Sequence, residues 1–137
     1  MAQEAEKRSP DWAIMVDGET IPLRITTPAI IAIEQATGRT LFEHALASKE
    51  RSVPLVHLAI IVRALAGPTC PVPALRSPEP YAGRLPILFA PDSAAEEAIV
   101  RNGMINILAR VMLPIVAAMR GGVTEVGEPK PNYTEED

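Results

Sequence analysis

The stretch Trp12-Ala-Ile-Met-Val16-Asp17-Gly18-Glu-Thr20-Ile-Pro22-Leu-Arg-Ile25 decides how this chain begins to fold. Asp17-Gly18 sits between two apolar runs and supplies residues that tolerate positive φ, which a two-residue hairpin turn requires. On the first arm Trp12, Ile14 and Val16 alternate with Ala13 and Met15; on the second, Ile21, Leu23 and Ile25 alternate with Pro22, Arg24 and Thr26. Period 2 on both arms predicts a hairpin over Trp12–Val16 and Thr20–Ile25 with one packed face. Pro22 has no N–H to give a ladder, so its arm is an edge. A lone hairpin is marginal in water. This one must lean on helices or join strands of another copy.

Helix signals follow at once. Thr27 is read as the N-cap of a first helix with Pro28 at its first position, where a missing N–H costs nothing. Ile30, Ile31, Ile33 and Ala36 face inward, and Gly38 ends the helix as a left-handed cap. Thr40 and Glu43 have the spacing of a capping box, opening a short second helix from Leu41 to about Ser48. Lys49-Glu50-Arg51-Ser52 is an exposed link. A third helix is predicted from Pro54 to about Ala66, with Leu55, Leu58, Ile61, Val62 and Leu65 at helical spacing and Gly67-Pro68 as its stop. Seven prolines between residues 68 and 91 exclude helix or central strand there. That arm also carries Tyr81, Leu85, Ile87, Leu88 and Phe89, so it either wraps over its own core or docks on another chain. Ser93-Ala-Ala-Glu96 reads as a second capping box, opening a last helix from Asp92 or Ser93 to Arg120 that Pro114 should kink.

These elements make the expected fold α+β, mostly α: an N-terminal β-hairpin followed by a small helical bundle with a long kinked C-terminal helix. The chain has 137 residues, enough for one domain and too few for two. Expected boundaries are a mobile N-terminus at 1–10, a single domain at 11–122 with the proline-rich arm at 68–91, and a disordered acidic tail at 123–137. With 47% apolar but only 4% aromatic residues, the core must be built from Ala, Val, Ile, Leu and Met, which suits packed helices. No apolar run approaches the ~20 residues of a membrane span. The opening residues lack the apolar stretch of a signal peptide, and a lone Cys70 suits a reducing cytoplasm. The tail from Val123 onward holds five acids and one lysine, which accounts for the whole net charge of −4. The body is therefore balanced and offers no electrostatic footprint for nucleic acid.

Groups able to do chemistry are sparse. His44 and His57 are the only histidines, and a metal site would need further ligands beside them. Cys70 has no helix N-terminus or base in its local sequence to activate it. Glu96-Glu97 are adjacent on a helix and point apart; acids in a first turn also suit the helix dipole. Gly121-Gly122 ends a helix and does not open one, so it cradles no phosphate. No catalytic residue, cofactor or metal is expected.

The last helix carries the clearest functional signal. Met104, Leu108, Val111, Met112, Ile115 and Met119 share one face, widened by Ile99, Val100, Ile105, Ile107 and Val116; only Asn102, Asn106 and Arg110 form a polar strip. Such a helix is either central to its own fold or half covered by a partner, and methionines suit an adaptable groove. The candidate protein-binding residues are Met104, Leu108, Met112, Ile115 and Met119, with Tyr81 and Phe89 as anchors on the arm.

The run Val16-Asp-Gly-Glu-Thr-Ile-Pro-Leu-Arg-Ile-Thr-Thr-Pro-Ala-Ile-Ile-Ala-Ile-Glu-Gln-Ala-Thr-Gly38 resembles the opening of the tail assembly chaperones of long-tailed phages and gene transfer agents. There a "DG" hairpin leads into a helix with a glutamate, here Glu34, then a glycine, here Gly38, and a second small helix. The Pro54–Gly67 segment, ending Ile-Val-Arg-Ala-Leu-Ala-Gly, is similar to that family's next helix. Glu97-Ala-Ile-Val-Arg-Asn-Gly103 and the apolar helix after it are similar to its C-terminal helix. The proline-rich stretch 68–91 departs from the compact members. The resemblance implies a non-catalytic helical protein of the bacterial host cytoplasm that coats the tape measure protein while the tail tube is built. It is then absent from the finished particle. The tail tube protein is a second candidate partner, and a homo-oligomer is compatible with it. The alternative is a structural tail or neck component, with the hairpin and arm bridging neighbouring subunits. A small enzyme or regulator would instead show ligand-induced stabilisation.

Overall fold

The computed structural model describes residues 12–77 and 93–133. Strands β1 (Ala13–Val16) and β2 (Glu19–Pro22) pair antiparallel, with Ile14 opposite Ile21 and Val16 opposite Glu19. Asp17 and Gly18 have φ of 52° and 80°, both positive as a type I′ turn demands. Leu23 N–H donates to the Trp12 carbonyl at 2.8 Å. The alternation of an antiparallel ladder then makes Trp12–Leu23, Ile14–Ile21 and Val16–Glu19 the bonded pairs. Pro22 therefore falls where its missing N–H would have faced outward. The hairpin's inner face, from Trp12 to Ile25, is buried in the main core.

Helix α1 (Thr27–Thr37) starts one residue earlier than expected. The Thr26 hydroxyl, not that of Thr27, accepts from the Ala29 N–H at 3.2 Å, so Pro28 becomes the second helical residue. No first-turn N–H has an intrahelical acceptor, so Pro28 is equally well tolerated there. Gly38 closes the helix at φ 72° and donates to the Glu34 carbonyl. In α2 (Leu41–Lys49) the Thr40–Glu43 capping box forms in both directions, at 3.1 and 2.8 Å. Glu34 accepts from the Leu41 N–H at 3.0 Å, which ties the end of α1 to the start of α2.

Helix α3 (Leu55–Ala66) is the centre of the fold, in contact with α1, with both later helices and with the short 3-10 turn Pro73–Leu75. Leu58, Ala59, Ile60, Ile61, Val62 and Leu65 are all buried, which explains a helix apolar nearly all round. The first part of the proline-rich arm lies on this core: Cys70, Val72 and Leu75 are buried, and Ser77 N–H bonds the Gly67 carbonyl. Residues 78–92, with Tyr81 and Phe89, lie outside the described residues.

Three further expectations differ from what the fold shows. The last helix is not one kinked rod; it is α4 (Ala94–Asn102) and α5 (Met104–Met119), bent by 103° at Gly103. Gly103 takes φ 99° and its N–H reaches back to Val100, tightening the last turn of α4. Pro114 lies inside α5 without ending it, leaving the Arg110 carbonyl without its usual donor. The Ser93–Glu96 capping box does not form. Ser93 makes no cap hydrogen bond, and its hydroxyl instead donates to Glu97 at 3.0 Å.

The third correction concerns the acidic tail, which through Tyr133 folds back onto the body. Val123 bridges Pro129, Thr124 N–H donates to the Glu128 carbonyl, and Ile25 N–H donates to Gly127 at 3.0 Å. Arg24 meets Glu128 at 2.8 Å. Gly127 is needed for the close approach: at φ 85°, a Cβ there would stand 2.8 Å from the Ile25 nitrogen. Acidic composition argued for a solvated tail, but the turn at Gly127 and the packing of Val123 and Tyr133 against the core outweigh it. Residues 134–137 and 1–11 lie outside the described part.

Candidate protein-binding surface

The residues expected to bind a partner are split by the tertiary structure. Ile115 is fully buried and Met112 is 9% exposed, so both belong to the protein's own core together with Ile107 and Val111. Leu108 and Met119 are half-buried and pack against that core. Met104, at the start of α5, is 41% exposed, and its neighbour Ile105 is more exposed still. The apolar face therefore faces inward at its C-terminal half and emerges at the Gly103 corner. α5 packs against α2, α3, α4 and β1, which accounts for the plain-core part of its face.

Other apolar side chains stand out in solvent where sequence reasoning did not place a surface. On α2, Leu41, His44 and Ala47 face the core, which turns Phe42 and Leu46 outward at 66% and 59% exposure. They are four residues apart and so share one face. The available signal was that a nine-residue helix carries more apolar side chains than its buried stripe needs. Met15 on the hairpin's outer face is also exposed. Together with Met104 and Ile105 these residues offer apolar surface to another protein, and Ile31, Val56, Val100 and Val126 are exposed elsewhere on the described fold.

The corner at Gly103 is held by a polar clamp. Arg101 donates twice to Asp17, at 3.1 and 2.8 Å, and Asn102 donates to it at 3.0 Å. Asn102 Oδ1 accepts from the Asp17 N–H at 2.9 Å. The Arg101 guanidinium, then the Asn102 amide, hold the Asp17 carboxyl down to about 2. The hairpin turn is thereby fastened to the α4–α5 corner by residues distant in sequence.

The buried His44 meets the half-buried His57, their ring centroids 5.8 Å apart and nearly perpendicular. Thr37 hydroxyl donates to the Ile33 carbonyl at 2.8 Å, so it accepts from His44 Nε2–H at 2.9 Å. That leaves Nδ1 of His44 as a bare, buried lone pair, and Nδ1 of His57 is likewise buried without a partner. Burial, then the neighbouring His57, pushes the pKa of His44 down; burial, then Arg39, lowers that of His57. Among the described residues no group of three or more His, Cys, Asp or Glu is placed to hold a metal ion. Burial also pushes the Cys70 thiol up, away from thiolate reactivity.

Two clefts lie among the described residues. One, of about 320 Å³, lies between α1 and the end of α3 beside Arg24 and Ser77 and is lined mainly by alanine, proline and glycine. The other, of about 430 Å³, separates β1 from the polar strip of α4 and α5. Compared with protein-family models, curated proteins and solved structures, the chain gives no match.

Proposed function

We propose that this protein is an assembly chaperone of phage-tail or gene-transfer-agent type, which holds the tape measure protein without catalysing a reaction. The observation that carries the reading is the order of elements from Val16 to Gly67: an Asp-Gly hairpin, a glutamate-bearing helix closed by Gly38, a small capped helix and an apolar helix closed by Gly67. That order follows the run of residues that resembles the family. The exposed Phe42, Leu46, Met104 and Ile105 add support, because a chaperone of an elongated helical client needs apolar surface that is open before the client arrives. In this reading Met104 with its exposed neighbours makes the client contact. Met112 and Ile115 support the helix from behind.

Mass spectrometry of purified particles beside the lysate of the producing cells tests the reading. A chaperone is abundant in the lysate and missing from particles, and it keeps a co-expressed tape measure protein soluble. A fixed copy number in the particle would replace the proposal with a structural tail or neck subunit. A tape measure protein that stays insoluble and unbound would also overturn it.

A further inference from the structure

Among the described residues, the edge of β1 that faces away from β2 has no strand paired to it, and a polar strip runs beside it. The ladder pairs Trp12, Ile14 and Val16 with β2, so the backbone N–H and C=O groups of Ala13, Met15 and Asp17 point to the outer side. At one end of this edge the Asp17 N–H is already taken by Asn102 at 2.9 Å. Beyond the Gly103 bend, α5 carries Asn106 and Arg110 on the side of the cleft opposite Ala13 and Met15. Those residues line the 430 Å³ cleft, with Ile14 and Ile107 as its floor. Among the described residues, the outward groups of Ala13 and Met15, the Asn106 amide and the Arg110 guanidinium have no hydrogen-bond or ion-pair partner.

We propose that this cleft takes one extended peptide segment of another protein as a third strand on β1, with an acidic side chain of that segment against Arg110. An unpaired strand edge is a template for one more strand. The unpaired Asn106 amide offers a donor and an acceptor to the far side of the incoming backbone, and Arg110 is the cation lining the cleft. A second copy of this chain suits the cleft less well, since the β1 it would offer is packed against its own α4 and α5 and would have to bring both helices into the cleft with it. This inference does not depend on the client proposed above, because the apolar residues of that reading are not the ones used here.

The test uses the full chain, amide NMR, and a synthetic acetylated hexapeptide of alternating Thr and Val with one central Glu. Titration should shift the amide signals of Ala13 and Met15 while leaving those of the bonded Ile14 and Val16 nearly in place. A peptide with Lys for Glu should bind about threefold to fivefold more weakly, the size of one exposed ion pair. Arg110→Glu, a change at an exposed position, should reverse that preference. N-methylation of alternate peptide nitrogens should abolish binding. The inference is overturned if millimolar peptide leaves Ala13 and Met15 unmoved, or if the N-methylated peptide moves them equally. Concentration-dependent shifts at Ala13 and Met15 without peptide would overturn it too, assigning the edge to a second copy.

Discussion

Replacing His44 by glutamine isolates the histidine pair as a source of acid sensitivity. In the folded chain His44 is neutral, with Nε2–H on Thr37 and Nδ1 buried without a partner, and its pKa lies below the ordinary 6.5 because burial and His57 disfavour the cation. The unfolded chain therefore binds the proton first as pH falls. Stability from this group is complete above 6.5 and is lost as pH drops from 6.5 toward the lowered folded value. One proton sets the steepest slope at about 1.4 kcal/mol per pH unit. For a domain of this size that corresponds to about 4 °C in Tm per unit. His57, depressed for similar reasons, adds to the same slope. Thermal unfolding followed by circular dichroism between about pH 8 and pH 5 reads this directly. The wild type should lose Tm below 6.5, His44→Gln should lose less, and the double change with His57→Gln should be nearly flat in that window. Glutamine retains a donor for Thr37, so the baseline at the alkaline end measures the packing loss separately. A wild-type Tm that is level across the window, or a slope unaltered in both variants, would refute the buried neutral pair.

Further predictions concern the α5 face, the tail and the clamp. Ile115→Ala should cost about 2–5 kcal/mol in urea unfolding, whereas Met104→Ala should stay within about 0.5 kcal/mol and lower only client binding in a pull-down. Met112→Glu should unfold the chain, since it places a carboxylate in the core, while Met104→Glu should leave the circular dichroism spectrum intact. Gly127→Ala should release the folded-back tail, seen as loss of hydrogen-exchange protection at the Ile25 amide, because the new Cβ meets the Ile25 backbone. Asp17→Asn keeps a residue suited to positive φ but removes the ion pair with Arg101. It should abolish the salt dependence that the wild type shows at this corner. The wild-type clamp should persist above the ordinary 3.8 of Asp17 and fail as pH falls through about 2.

Features set within a few neighbouring residues were legible before any folding. Asp17-Gly18 makes a two-residue turn because both residues accept positive φ. Gly38 and Gly67 end helices, and Thr40 with Glu43 starts one, because caps satisfy backbone groups that are always free at helix ends. The α+β, mostly helical composition of the fold follows from those signals and the apolar spacing. Which surfaces meet depends instead on long-range packing. Apolar periodicity marks the face of α5 but not how far along it the core extends, so Met112 and Met104 look alike in sequence and differ in burial. The break at Gly103 is held by Asn102 and Arg101 reaching Asp17, some 85 residues away. The His44–His57 contact and the return of Gly127 to Ile25 arise in the same way. Local chemistry can propose a cap or a turn, but a glycine in a helix or an acid in a tail takes its role from the distant atoms packed against it.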